Sequence, residues 1–147
     1  MDHDFEPPYY ALLKAHRYSD AIPMLKVAIA KHDDAHAMSI LGSLLAMGQG
    51  IERDEEEACA WFRQSAVRGD ALGQTAFGTC LATGIGTRQD ETEGAYWLYR
   101  AGKAGYLKAI EILSDLVLKN QAVVGPHFSM REYMELLRKL RCSVRAH

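Results

Sequence analysis

The length, composition and charge of this chain exclude several classes of protein at the outset. At 147 residues it has room for one domain with a sizeable core and is too short for two ordinary domains. Its 48% hydrophobic and 24% charged residues are typical of a globular protein, and a net charge of −2 gives no reason to expect nucleic acid or anionic lipid as a partner.

The start of the chain and its cysteines bear on the compartment. The segment 1–7 is acidic and lacks the basic stretch and apolar core of a secretory signal. No apolar run approaches the roughly 20 residues that a membrane-spanning helix needs. The three cysteines, Cys59, Cys80 and Cys142, are widely spaced and odd in number, which suits reduced thiols better than a disulfide framework. These features predict a cytoplasmic protein with no membrane partner.

The N-terminal part, residues 1–34, predicts a pair of helices. Pro8 suits a helix start, and Tyr9–Arg17 then carries a partly apolar face. A second helix is predicted from Ser19 to about Lys31. Asp34 is placed to act as the N-cap of the next helix.

The centre of the chain contains an internal repeat. Residues 35–70 and 71–106 align at an offset of 36 and are identical at 11 of 36 positions. A period of this size is typical of stacked helical arrays. The identical pairs are Ala35/Ala71, Gly42/Gly78, Leu45/Leu81, Ala46/Ala82, Gly48/Gly84, Gly50/Gly86, Asp54/Asp90, Glu55/Glu91, Glu57/Glu93, Trp61/Trp97 and Gly69/Gly105.

Each repeat predicts two antiparallel helices. Asp54 is placed to cap the second helix of its unit, with Glu57 three residues later completing a capping box, and the equivalent residues recur in the next unit. The preceding Gly48-x-Gly50 turn provides the positive φ angles with which the chain leaves the first helix. Small residues such as Gly42 and Gly78 predict close helix contacts, while the tryptophans fill the space between layers.

The C-terminal part, residues 107–147, predicts a degenerate repeat and a capping helix. A helix is expected over Lys108–Lys119, with Leu118 among its apolar residues, followed by a loop over Asn120–Pro126. Ser129 and Glu132 predict a capping box for a last helix, and Phe128 and Tyr133 a hydrophobic staple beside it. In all, the chain is predicted to be one all-α domain of about eight helices.

This pattern resembles the Sel-one-like repeat family, a branch of the tetratricopeptide-like solenoids. Two full units match its motif, and the departures, such as Leu45 and Leu81 for the usual tyrosine and Gly94 for alanine, concern packing and surface. The resemblance implies a right-handed α-α superhelix without a catalytic set. The motif falls on Leu41, Gly42, Gly48, Gly50, Asp54, Ala58, Trp61, Ala66 and Gly69, and on Phe77, Gly78, Gly84, Gly86, Asp90, Trp97, Ala101 and Gly105.

Candidate catalytic and metal-binding groups have simpler explanations. His32-Asp33-x-x-His36 is similar to a zinc-protease motif, but it straddles a turn between helices and aspartate is too short to serve as the base. Cys59 and Cys80 fall within helices and read as small buried hydrophobic residues, with redox sensing as the alternative. We therefore expect that the protein is not an enzyme and binds no metal or cofactor. An enzyme with an unrecognised metal or thiol site stays an alternative.

The last helix leaves three interpretations open. Arg131, Arg138 and Arg145 recur every seven residues beside further basic residues, opposite an apolar side. The helix is an amphipathic cap, a docking surface for an acidic partner or, least favoured, a nucleic-acid contact.

The resemblance implies that the first helices of successive units line a concave face, where ligands usually bind. Small polar residues there suit a protein partner better than a catalytic pocket. A bacterial immunity protein that neutralises a toxin is one reading, an adaptor or regulatory scaffold in signalling or secretion is another, and the oligomeric state is open. The expected partner-binding residues are His36, Ser39, Ser43, Met47, Leu72, Thr75, Thr79, Thr83, Lys108, Glu111 and Asp115.

Overall fold

The computed structural model describes residues 6–146 and shows that this part of the chain is all-helical, as predicted. Within it lie eight α-helices, one short 3-10 helix at Gln121–Val123 and no β-strand. The acidic segment 1–5, which we took to lack a secretory signal, lies outside the described residues. The helices are α1 (Pro8–Lys14), α2 (Tyr18–His32), α3 (Ala35–Met47), α4 (Glu55–Val67), α5 (Ala71–Thr83), α6 (Glu91–Lys103), α7 (Leu107–Lys119) and α8 (Met130–Arg145).

Aspartate side chains begin the four central helices. Asp34, Asp54, Asp70 and Asp90 each accept a hydrogen bond from the backbone N–H three residues later, which satisfies one of the unpaired donors at a helix start. The predicted N-caps of α3, α4 and α6 are thus confirmed. A fourth, Asp70, caps α5.

The capping boxes predicted at Asp54 and Asp90 form only by half. In a full box the Glu57 carboxylate would accept from the Asp54 backbone N–H. That N–H already donates to the carbonyl of Leu45 at 3.0 Å, and Glu57 instead accepts from the indole of Trp61 at 3.4 Å. The equivalent bonds recur one unit later, at 2.8 and 3.4 Å. Tertiary contact with the preceding helix therefore takes the place of the local motif.

The Gly-x-Gly turns join successive units as well as successive helices. Gly48, Gly50, Gly84 and Gly86 all have positive φ, between 65° and 76°. The second glycine of each turn also lies against the start of the second helix of the preceding unit. A Cβ on Gly86 would come within 2.2 Å of the Glu55 carbonyl oxygen.

The same contact shows that the N-terminal helix pair belongs to the repeat. A Cβ on Gly50 would lie 2.5 Å from the backbone nitrogen of Ser19. Ser19 precedes Glu55 by 36 residues, which is the repeat length. The pair α1 and α2 therefore occupies the place of a repeat, although its sequence no longer shows the motif.

Close packing between the paired helices depends on small residues. In the second unit, a Cβ on Gly94 of α6 would lie 2.7 Å from the carbonyl oxygen of Gly78 of α5, so the two backbones touch directly. Leu98, which has no exposed surface, closes the same contact. Consecutive helices pack in chain order from α1 to α7, with a second core cluster between α6, α7 and α8.

The helices of the stack are unequally spaced. The first helices α3, α5 and α7 contact one another in succession, whereas α4 and α6 make at most a marginal contact. The first helices therefore lie closer together than the second helices do.

The last unit replaces the missing glycine turn with a side-chain contact. The Asn120 amide donates to the carboxylate of Glu91 at 2.6 Å, at the start of α6 where the glycine of a full repeat would dock. The predicted loop is not wholly irregular, since it contains the 3-10 helix. Ser129 and Glu132 form the predicted capping box of α8, and Phe128 and Tyr133 are both buried beside it.

Candidate functional site

The expected partner-binding residues lie on α3, α5 and α7, and the repeat brings them into rows. Ser43, Thr79 and Asp115 are equivalent positions 36 residues apart, as are Met47 and Thr83. Because successive first helices contact each other, equivalent positions stand side by side. Nine of the eleven residues are exposed or half-buried: His36, Ser43, Met47, Leu72, Thr79, Thr83, Lys108, Glu111 and Asp115.

Ser39 and Thr75 do not belong to this exposed surface, because both residues are buried. Their exposed fractions are 0% and 5%. The Ser39 hydroxyl donates to the His36 carbonyl at 2.8 Å and that of Thr75 to the Ala71 carbonyl at 2.7 Å, which satisfies each group away from water. The next positions along, Ile40 and Ala76, are half-buried instead.

The remaining hydroxyls form a surface of hydrogen-bond acceptors. Ser43 donates to the Ser39 carbonyl at 2.9 Å, and Thr79 and Thr83 each donate to the carbonyl four residues earlier at 2.8 Å. A hydroxyl has one proton to donate, so only its lone pairs are left for a partner. The exposed carboxylates of Glu111 and Asp115 add further acceptors to the row.

Exposed apolar side chains mark one edge of this surface. Met47, Ile85 and Leu118 are 62%, 52% and 82% exposed and lie at or just beyond the C-terminal ends of α3, α5 and α7. Sequence reasoning included Met47 among the expected partner-binding residues, missed Ile85 and named Leu118 only as one of the apolar residues of α7. Ile85 stands between two glycines of positive φ, a tight turn that points its middle residue outward, and this signal was readable from the sequence.

A polar cluster surrounds His36 at the opposite end of the row. Its Nε2 lies 3.0 Å from the Tyr10 hydroxyl and its Nδ1 lies 3.4 Å from the carboxylate of Asp70. Asp70 also accepts from the backbone N–H of Gly73 at 2.9 Å and lies 3.2 Å from the Ser65 hydroxyl. The cluster therefore ties α1, α3, α4 and α5 together.

The ionisation of the pair follows from these contacts. Hydrogen bonding to Asp70 raises the pKa of His36, against the opposing effect of partial burial. Burial by itself would raise the pKa of Asp70, but the hydrogen bonds with His36 and the Gly73 backbone N–H outweigh it and lower that pKa. Both shifts favour the charged pair.

The cluster contains serine, histidine and aspartate without the geometry of a nucleophile. Ser65 is fully buried, and its hydroxyl lies 2.7 Å from the Ala35 carbonyl and beside Asp70, with no hydrogen bond to His36. A catalytic serine needs the histidine as its base and access to substrate. This arrangement positions helices and activates no nucleophile.

We expect His36→Gln to destabilise the protein more at pH 5.5 than at pH 8.5. The folded-state pKa of His36 is raised, so its contribution is complete below the unfolded pKa of about 6.5 and disappears as pH rises through the folded value. The ring is 41% exposed, so the pH-dependent part should stay below about 1 kcal/mol. Urea unfolding of both proteins at the two pH values measures it.

The Tyr10→Phe variant is the control, because it removes a hydroxyl contact and leaves the His36 and Asp70 pair intact. Its effect should not change in the same way with pH. An effect of His36→Gln that is equal at both pH values, or larger at pH 8.5, would contradict the assignment.

The residues of the zinc-protease-like motif at 32–36 do not come together as a metal site. His32 ends α2, Asp33 is in the left-handed conformation with its carboxylate on Arg68 at 2.8 Å, and His36 belongs to α3. Over residues 6–146, no group of three or more histidine, cysteine, aspartate or glutamate residues could hold a metal ion. In the same range, no helix combines the length and apolar character needed to traverse a lipid bilayer.

The last helix covers the second core and leaves a basic side exposed. Tyr133 and Leu136 are buried, which fits the interpretation as a cap. Four arginines are exposed on the other side, and the one ion pair found there in the described chain joins Arg131 to Glu135 at 3.7 Å. Met134 lies among them and is more than half exposed. The arginines are Arg131, Arg138, Arg141 and Arg145.

Comparison with known families agrees with this architecture. The family model described as the Sel1 repeat matches residues 35–70 and 71–106, the two units that the internal alignment defines. The chain belongs to the Sel1-repeat family. Such repeats generally form non-catalytic scaffolds and typically mediate protein–protein interactions.

Solved structures of Sel1-repeat proteins have the same fold. A Sel1 repeat protein from Oxalobacter formigenes superposes with a TM-score of 0.66 at 24% identity, over 76% of this chain and 45% of that one. A protein described as a protective antigen of uropathogenic Escherichia coli with an SLR fold gives 0.70 at 26% identity, over 83% and 25%. This chain thus matches less than half of either relative. No curated protein sequence matches it significantly.

Proposed function

We propose that this Sel1-repeat protein is a non-catalytic module that binds a partner protein across the row formed by α3, α5 and α7. The observation that carries the proposal is the exposed surface of these helices, where polar groups with satisfied protons lie beside exposed apolar side chains. Closer spacing of the first helices supports a stack that curves toward them and so a concave binding surface. Protein interfaces combine apolar and polar contacts in this way.

The chemistry of the row indicates what the partner presents. Ser43, Thr79 and Thr83 offer lone pairs only, and Glu111 and Asp115 offer carboxylates. The partner segment should therefore bring N–H or O–H donors, such as arginine, lysine or asparagine side chains, to the middle of the row. Apolar side chains of the partner would contact the edge at Met47 and Ile85.

As the specific role we propose a bacterial immunity protein that neutralises a toxin in the cytoplasm. Both solved relatives come from bacteria, which supports a bacterial role. An adaptor or regulatory scaffold in signalling or secretion is the alternative. The two roles differ in a simple respect, because the partner of an immunity protein harms the cell when it is produced alone.

The double variant Ser43→Arg/Thr79→Arg should lose its partner and keep its helical fold. Two arginines would fill the centre of the row and replace acceptors by positive charge, so we expect a loss of at least tenfold in affinity, about 1.4 kcal/mol or more. The tagged protein is used to isolate its partner from the source organism, and both proteins are then titrated against the purified partner. Circular dichroism checks the fold.

The matched control is Ala60→Arg/Gln64→Arg, which adds the same charge to exposed positions of α4. This control should bind like the unaltered protein. Equal binding by the row variant would show that the row is not the site. Growth arrest by the partner in a bacterial host, relieved by the unaltered protein and not by the row variant, would support the immunity role over the adaptor role.

The basic side of α8 is a second candidate surface for an acidic partner. Its arginines are exposed beside Met134, a residue type common at adaptable interfaces. Arg138→Glu/Arg141→Glu, titrated against the same partner, distinguishes the two surfaces. Loss of binding in this variant alone would move the site from the row to α8.

The enzyme alternative has a direct test of its own. Elemental analysis of the purified protein for zinc and iron should find neither at stoichiometric level. A stoichiometric metal would overturn the proposed function.

A further inference from the structure

Two cysteines face each other across the interface of α4 and α5. Two contacts define the antiparallel register of these helices. A Cβ added to Gly73 would lie 2.5 Å from the Cβ of Ser65, and the Gln74 amide donates to the Ala66 carbonyl at 3.4 Å. Two helical turns further along, the same register sets Cys59 opposite Cys80. Cys59 is buried in the first core cluster, Cys80 packs against that cluster, and each thiol shifts the pKa of the other.

The surroundings of the pair favour one thiolate. The Cys80 thiol, the Thr87 hydroxyl and the charge of Arg63 together lower the pKa of Cys59, although its burial opposes this. The pKa of Cys80 is raised because its thiol donates to Cys59 and is partly buried. When the pair loses one proton, the negative charge is therefore favoured on Cys59 and Cys80 keeps its proton.

Small reagents have a path to the pair. An open groove of about 1040 Å³ runs between α4 and the turn after α5, and Cys59, Arg63 and Thr87 line it. The groove is open beside the cysteine pair because α4 and α6 are separated on this side of the stack. Cys80 is itself half-buried, so the second residue of the pair is also partly exposed to solvent.

We propose that Cys59 and Cys80 form a peroxide-sensitive dithiol that closes into a disulfide between α4 and α5. The Cys59 thiolate attacks one oxygen of hydrogen peroxide, the O–O bond breaks, and the departing hydroxide takes up a proton to leave as water. Cys80 then attacks the sulfenic sulfur, the S–O bond breaks, and the proton of Cys80 leaves with the oxygen as a second water. Two thiols lose two electrons and two protons, and one peroxide becomes two waters.

The site is independent of the proposed partner-binding row. It lies on the side of the stack where the second helices are exposed, and it needs no bound protein. The reaction is a stoichiometric modification, reversed by a dithiol reductant. It pins α4 to α5, whose contact otherwise rests on packing and a few hydrogen bonds.

The test treats the full chain with hydrogen peroxide, alkylates free thiols and maps tryptic peptides by mass spectrometry. The variant Cys142→Ser is used so that the exposed third cysteine cannot link two chains. We expect a monomer lighter by two hydrogens, with the disulfide joining peptides 54–63 and 69–88, and a melting temperature raised by roughly 5 °C or more. Dithiothreitol should restore the starting mass and temperature.

Two variants in the same background identify the order of the steps. With Cys80→Ser, Cys59 should stop at the sulfenic acid, which dimedone labels. With Cys59→Ser, Cys80 should stay reduced at the same peroxide concentration. Should either variant fail to fold by circular dichroism, the peptide map of the Cys142→Ser protein alone decides. The proposal would be overturned if Cys59 and Cys80 remained fully alkylated under conditions in which Cys142 of the unaltered protein is oxidised.

Discussion

Gly86→Ala should lower the free energy of unfolding by about 3 kcal/mol or more. Gly86 has φ of +76°, where a side chain costs about 1–2 kcal/mol. A Cβ there would also lie 2.2 Å from the carbonyl oxygen of Glu55 in the preceding unit, so the backbone of one unit must move away from the other. Overlap of this kind typically costs a further 1–3 kcal/mol or so. Urea unfolding followed by circular dichroism measures the loss.

Gly69→Ala separates the two parts of this effect. Gly69 also has a positive φ, of +91°, but nothing lies within 4 Å of an added Cβ. It should therefore cost about 1–2 kcal/mol, from the backbone conformation alone. Equal losses in the two variants would mean that the contact between units contributes nothing. The inference that the second glycine of the turn joins successive repeats would then be wrong.

Trp97→Ala should be comparably damaging, with a loss of about 3–5 kcal/mol. Trp97 is 8% exposed, packs edge-on against Phe77 with ring centroids 5.7 Å apart, and has the Arg100 guanidinium 5.3 Å above its ring. Removing the indole leaves a large cavity between the helices of the second unit and leaves the Glu93 carboxylate without its indole donor. The same unfolding measurement applies.

The equivalent tryptophan of the first unit is the natural control. Trp61 is only half-buried, because the positions that correspond to Phe77, Tyr96 and Arg100 hold the smaller residues Leu41, Ala60 and Gln64. Trp61→Ala should therefore cost distinctly less, about 1–2 kcal/mol. A loss at Trp61 as large as at Trp97 would show that these neighbouring residues do not determine how much the repeated tryptophan contributes to stability.

The glycine comparison bears on the binding row, because it concerns a contact that holds one unit beside the next. The row presents Ser43, Thr79 and Asp115 side by side only while successive first helices keep their spacing. A variant that loosens the contact between units should weaken partner binding as well as stability. The row variants must accordingly be compared at temperatures well below the unfolding of each protein.

Local rules read from the sequence alone established the plan of this protein. A repeat of 36 residues, an aspartate before each second helix and a glycine turn before that aspartate were enough to place α3 to α6, and Ser129 with Glu132 placed the start of α8. These features act between residues a few positions apart, where backbone geometry leaves few choices. The first helices were expected to form the row on the same basis, and nine of its eleven residues are exposed or half-buried; their binding of a partner stays a prediction.

Burial and pairing were decided only by the tertiary structure. Ser39 and Thr75 look like surface residues in the sequence, yet each hydroxyl bonds its own helix and is buried between units. Cys59 and Cys80 are 21 positions apart and meet only because two helices pack in one register. Which side of a helix is covered depends on neighbours a full repeat away, and no pattern within one helix contains that information.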